Sequence, residues 1–119
     1  MAKSAMRDLS YGVFMLTASM GEKVNACITN TCIQVATNPN RVAFSVINAN
    51  YTCDFLKQSE YCSIGIMAKS SSFDIIKNFG LQSGRDVNKF INYQYEKNEK
   101  GIAYVSTDCV STLFLKIVS

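Results

Sequence analysis

The residues able to do chemistry fall in three short runs. The first is Asn25, Ala26, Cys27, Thr29 and Thr31, where small polar side chains interrupt an apolar, β-branched segment. The second is Asn48, Asn50, Tyr51 and Thr52, at the start of an expected helix. The third is Ser83-Gly84-Arg85, in a polar loop. A helix start offers free backbone N–H groups and the positive end of a dipole, which suits a phosphate. Arg85, following a glycine, offers a fork-shaped cation to the same anion. Strand backbone and threonine hydroxyls can bond a flat, polar heterocycle. Together the three runs make an anion-and-ring site. Taken singly, each has a plainer reading: Thr52 as a helix cap, Arg85 as a surface ion-pair partner, the threonines as strand formers.

Composition narrows the chemistry. The 119 residues include no histidine. That removes from this chain Ser-His-Asp and Cys-His catalysis, His-ligated zinc or haem, and a histidine pH switch. No paired carboxylates are found either, so no side chain is assigned as catalytic and none as a metal ligand. The five cysteines, at 27, 32, 53, 62 and 109, are odd in number and lack C-x-x-C spacing. They read as reduced thiols of a cytoplasmic protein, most of them small core residues. Twelve Lys+Arg against nine Asp+Glu give a net charge of +3, too weak and scattered to point to nucleic acid. No apolar run reaches the roughly 18 residues of a membrane helix, and the start lacks the apolar stretch of a secretory signal. With 48% hydrophobic and 18% charged residues the chain is not disordered. It is apolar enough for a partner surface. At roughly 100–200 residues per domain, one domain over 1–119 is expected.

The elements that must position these runs follow from the pattern. Tyr11 to Ala18 is apolar on both parities, as in a strand buried on both sides. Val24 to Val35 reads as one long second strand, on which Asn25, Cys27, Thr29 and Thr31 share a face. Asn38-Pro39-Asn40 is a turn, and Arg41 to Ile47 a third strand with Val42, Phe44 and Val46 on one side. The tight turns between these strands imply antiparallel pairing. Asn50 or Thr52 caps a short helix to about Ser59. Tyr61 to Met67 is a fourth strand. Ser71 or Ser72 caps a helix with Phe73, Ile76 and Phe79 on one stripe, stopped by Gly80. A short helical turn is expected to end near Phe90. Tyr93 to Gly101 reads as solvated. Ile102 to Val105 and Cys109 to Val118 are the fifth and sixth strands. The last is expected at an edge, either covered by a partner chain or followed by further strands.

Three stretches carry a family likeness. They are Ser10-Tyr11-Gly12-Val13-Phe14-Met15-Leu16-Thr17-Ala18, the run Asn25 to Ala36 with Asn38-Pro39, and Phe79-Gly80-Leu81-Gln82-Ser83-Gly84-Arg85-Asp86-Val87-Asn88-Lys89-Phe90. With Val42 to Asn48 and Tyr51-Thr52, they resemble the flavin reductase-like family of FMN-binding split β-barrels. The likeness is greatest to the branch containing flavoredoxin and the flavin reductase domains that accompany rubredoxin. It implies a mainly β fold with short helices, a six-stranded Greek-key split barrel, C-terminally shortened here, that dimerises and holds FMN near the dimer interface. It implies that Asn25, Ala26, Cys27, Ile28, Thr29 and Thr31 face the flavin ring. Asn48, Asn50, Tyr51 and Thr52 would take the ribityl chain and phosphate, and Ser83, Gly84 and Arg85 would close over the phosphate. The implied activity is an oxidoreductase passing electrons from NAD(P)H or a redox partner, such as a rubredoxin-type protein, through FMN. The alternatives are an electron carrier without nicotinamide activity and a non-catalytic interaction domain. Family members also carry a Gly-Asp-His stretch beyond the last strand, and this chain has no counterpart to its histidine.

Overall fold

Met15, Leu16, Thr17 and Ala18 leave no strand face for water, and all four are buried. Their strand therefore sits inside a sheet with both faces covered. The structure, a computed structural model, describes residues 12–118. Tyr11 and Ser10, where the first strand and its motif were expected to begin, lie outside the described residues, as does Ser119. The first strand is β1 (Phe14–Met20). It pairs antiparallel with β2 (Lys23–Thr29) across a two-residue turn in which Gly21 takes φ 62°. On its other side β1 pairs with β5 (Tyr61–Met67), and β5 with β8 (Cys109–Lys116). The four form one antiparallel sheet in the order β2-β1-β5-β8, with β8 at the edge as expected. Two ribbons complete the β structure: β3 (Cys32–Ala36) with β4 (Arg41–Phe44), and β6 (Glu96–Lys97) with β7 (Ala103–Tyr104).

One face of the sheet presents Leu16, Ala18, Cys27, Cys62 and Ile64 to Phe55 of helix α1 (Tyr51–Gln58) and to Phe44 and Val46. The other presents Met15, Ala26 and Met67 to Ile75 and Phe79 of helix α2 (Phe73–Gly80) and to Val105. Each fully buried large side chain here contributes about 1.5–3 kcal/mol of transfer free energy. Asn50 caps α1, its side chain accepting from Thr52 N at 2.9 Å, and Ser72 caps α2.

The structure corrects five details of the sequence reading. The long second strand is divided. Thr31 N donates to Thr29 Oγ1 at 3.3 Å and Thr31 Oγ1 to Asn30 Oδ1 at 3.1 Å, so local side-chain bonds replace the ladder and the chain bends. Thr31 is therefore not on the strand of Asn25 and Cys27, and the shared face ends at Thr29. The third strand stops at Phe44, although Val42, Phe44 and Val46 keep the expected inward parity. In α2 the buried stripe is Ile75 and Phe79, while Phe73 is 66% exposed, because the cap at Ser72 sets the helix phase. Gly80 is the last helical residue and needs no left-handed conformation. A Cβ there would sit 3.1 Å from Ile28 Cβ, so it lets α2 approach β2. The helical turn expected to end near Phe90 is a single turn with Asp86 N and Val87 N on Ser83 O, and it ends at Val87. The stretch Tyr93 to Gly101 is largely solvated, as expected, and within it the exposed β6 pairs its backbone with β7.

Candidate functional site

Asn25 stands near the start of β2 and is 4% exposed. A buried amide must find partners. Its Nδ2 donates to Thr52 Oγ1 at 2.8 Å, which joins β2 to the first turn of α1. Gly84 then packs directly on this pair. A Cβ at Gly84 would fall 2.2 Å from Asn25 Oδ1 and 3.0 Å from Tyr51 Cδ2, so only glycine fits. The next residue, Arg85, lays its guanidinium 4.8 Å from the centre of the Tyr51 ring and pairs with Asp54 of α1. The runs around 25, 51 and 84, far apart in sequence, thus meet at one place.

Lys89 completes the cluster, and the sequence reading assigned it no role. It is 4% exposed, and its Nζ donates to Ala26 O and Phe79 O, each at 2.9 Å. An ammonium has three N–H donors, so one remains beyond these two carbonyls. Burial pulls the Lys89 pKa down from its ordinary value, and neighbouring Cys27 pushes it back up. Burial raises the Cys27 thiol, against the pull of Thr52, Lys89 and Asn50. Cys27 is therefore a neutral thiol under the site, in keeping with a packed core residue. The sequence signal for Lys89 was weak: one basic residue directly before an aromatic in a polar loop.

These residues surround a cavity of about 520 Å³ lined by Asn25, Tyr51, Gly84, Arg85 and Lys89, with Val24, Phe55, Val87 and Phe90 as apolar walls. Small-molecule sites commonly span about 300–1,000 Å³. Lys23, Arg85 and Lys89 outnumber Asp86 on its lining, so it favours an anion. A smaller cavity of about 200 Å³, between Thr17, Cys62 and the Lys100–Ala103 turn, contains none of the expected site residues.

The remaining expected residues are distributed as follows. Thr52 and Asn50 stand behind the cavity wall, Thr52 through Asn25 and Asn50 through its cap on Thr52 N. Ala26 contributes its carbonyl to Lys89, and Cys27 lies in the core beside α1. Ser83 Oγ accepts from Arg85 N at 3.1 Å and so shapes the loop. Ile28 turns to the opposite face of the sheet, against α2. Thr29 donates to Ser45 O at 3.3 Å, and Thr31 lies at the bend after β2. Asn48 is exposed, with Cys53 Sγ 3.9 Å from its Oδ1. None of these last four lines the 520 Å³ cavity.

Comparison with known proteins gives the family and the fold of the chain. Residues 6–119 match the family model described as "Flavin reductase like domain". The chain is 29% identical over 113 residues to the high molecular weight rubredoxin of Moorella thermoacetica, covering 95% of this chain and 49% of that protein. It is 23% identical over 114 residues to the ferric-chelate reductase (NAD(P)H) of Archaeoglobus fulgidus, covering 96% and 68% respectively. It thus spans about half the length of the first of these relatives. Among solved structures, the FMN-binding protein of Thermus thermophilus superposes with a TM-score of 0.84 at 17% identity, covering 94% of this chain and 63% of that one.

Proposed function

This chain belongs to the flavin reductase like domain family, and on that premise we propose that it binds FMN in the 520 Å³ cavity and serves as an oxidoreductase. Electrons would come from NAD(P)H or a redox protein and leave to an acceptor. The observation that carries the reading is the convergence of Asn25, Tyr51, Gly84, Arg85 and buried Lys89 on one cavity.

The residues present fit a flavin nucleotide. Arg85 is the cation for the phosphate, held over Tyr51 at the start of α1. Gly84 leaves room where a Cβ would collide with Asn25. Lys89 brings a positive charge and a spare N–H to the inner wall, where a polar ring edge would need a donor. Phe55, Val87 and Phe90 supply apolar surface. Bound flavin supplies the hydride and electron chemistry, and the protein supplies binding, orientation and electrostatics. No general acid or base is required of the side chains, which agrees with a site that holds no histidine.

Two relatives support the electron-transfer reading by name, one a rubredoxin and the other a reductase using NAD(P)H. A homodimer belongs to the same reading. It is supported by β8 at the sheet edge and by Ile33, Val35 and Ile47, which are 63%, 56% and 73% exposed. Sedimentation at micromolar concentration should find two chains per particle.

The purified protein should be yellow, with the absorbance bands of oxidised flavin, and should release FMN on denaturation. Anaerobic NAD(P)H should bleach those bands. Bleaching only by a reduced redox protein would make it an electron carrier without nicotinamide activity. A protein that neither carries nor takes up FMN would refute the proposal.

A further inference from the structure

Arg85 already holds an anion of the protein's own. Its guanidinium is bonded to the Asp54 carboxylate, in the first turn of α1, while its face lies 4.8 Å from the Tyr51 ring centre. The two side chains are 45% and 40% exposed, so the pair is open to exchange with solvent and ligands. Exposed pairs of this kind are weak. The Arg85 backbone is fixed independently, by its N–H on Ser83 Oγ at 3.1 Å and by Gly84 wedged against Asn25 and Tyr51. Arg85 therefore keeps its place when its carboxylate partner leaves. A carboxylate at a helix start, on a fork-shaped cation, uses the same donors that a phosphate monoester would use.

We propose that Asp54 is an internal competitor for Arg85, displaced by the phosphate of a bound flavin nucleotide, and that it thereby sets how strongly the site prefers phosphorylated over unphosphorylated flavin. This rests on the reading of the 520 Å³ cavity as the flavin site. Asp54 is a specificity residue acting through Arg85. A dianionic phosphate has to break the Arg85–Asp54 pair and then stay beside the freed carboxylate. Both effects weaken phosphate binding, and neither touches a ligand without phosphate.

Equilibrium titrations with FMN and with riboflavin test this on the full chain and on Asp54→Asn, Arg85→Ala and the double variant. Asp54→Asn should bind FMN roughly 3- to 10-fold more tightly, as expected for removing one charge and one weak exposed pair. Its riboflavin affinity should be unchanged. In the Arg85→Ala background the gain from Asp54→Asn should shrink to less than half, because the competition has no object. An FMN affinity that is unchanged or lowered in Asp54→Asn overturns the proposal. So does a full gain that persists without Arg85, which would make Asp54 a source of through-space repulsion only. The underlying reading is judged separately by Arg85→Ala alone: a selective loss of FMN over riboflavin keeps the flavin site whatever Asp54 does. The exposed position of Asp54 makes folding of the variant straightforward, and far-ultraviolet circular dichroism checks it.

Discussion

The Asn25–Thr52 hydrogen bond ties β2 to α1 beneath the cavity, and its chemistry can be separated from its packing. Thr52 is 0% exposed and Asn25 4%. Replacing Thr52 by Val keeps the branched shape and removes the oxygen that accepts from Asn25 Nδ2 at 2.8 Å. The bond itself is worth about 0.5–1.5 kcal/mol, and a stranded buried donor costs about 1–3 kcal/mol. The added methyl returns up to about 0.8 kcal/mol of burial. The net loss should be about 1–2.5 kcal/mol. Replacing Thr52 by Ser keeps the hydroxyl and removes one methyl, for a loss of about 1 kcal/mol. Both variants keep the Asn50 cap, which uses the backbone N–H of residue 52. The expected order of stability is therefore parent, then Ser, then Val. Urea unfolding followed by far-ultraviolet circular dichroism measures it. A Val variant as stable as the parent, or more stable than the Ser variant, would refute the view that the hydroxyl joins these elements. Because the freed Asn25 amide borders Gly84 and the cavity, flavin affinity should fall in Val and hold in Ser.

Arg85→Ala should weaken FMN binding by about 1.5 kcal/mol, roughly tenfold, the lower end for a charged hydrogen bond because the side chain is 45% exposed. Riboflavin should lose little, and equal losses would remove Arg85 from the phosphate site. Lys89→Met should destabilise the protein by about 1–3 kcal/mol, since it strands the buried carbonyls of Ala26 and Phe79. A denaturation midpoint like the parent's would show that water replaces the ammonium there. Alkaline pH should unfold the protein early. Burial raises Cys62 from 9.0 to about 12 and raises Cys27, Cys32 and Cys109 as well. The unfolded thiols lose their protons first, so stability that is complete below pH 9 is lost as pH rises toward 12, at up to about 1.4 kcal/mol per pH unit for Cys62. Lys89, held below 10.5, acts in the opposite sense, as one group against four thiols. Cys62→Ala should flatten the alkaline limb of stability against pH, and an unchanged limb would refute the assignment.

Local chemistry decided much of what could be read in advance. β1 announces its double burial because Met15, Leu16 and Ala18 are apolar on both parities; the hydroxyl of Thr17 is the exception, buried without a hydrogen-bond partner. Asn50 declares the start of α1 because an amide oxygen two residues before a free N–H has one good use. The turns at Gly21 and Pro39 made antiparallel pairing the economical connection, and all strand pairs are antiparallel. The three polar runs were visible because strands and helices do not spend asparagine, threonine and arginine on core packing. What the chain could not reveal is how these pieces meet. The bend at Asn30 depends on where β1 ceases to offer partners, with Phe14↔Thr29 as the last pair. The assignment of Thr31 to the strand face failed for that reason. Lys89 looks like any surface lysine until two carbonyls, 63 and 10 residues away in sequence, gather around it. Asp54 and Arg85 are 31 residues apart and become a pair only because Gly84 lets the loop rest on Tyr51. Residue types and spacing fix which groups are available, because capping and turn formation are short-range. The burial and the charge partners of each group are set by tertiary contacts, because the dielectric and hydrogen-bond environment of a side chain belongs to its neighbours in space.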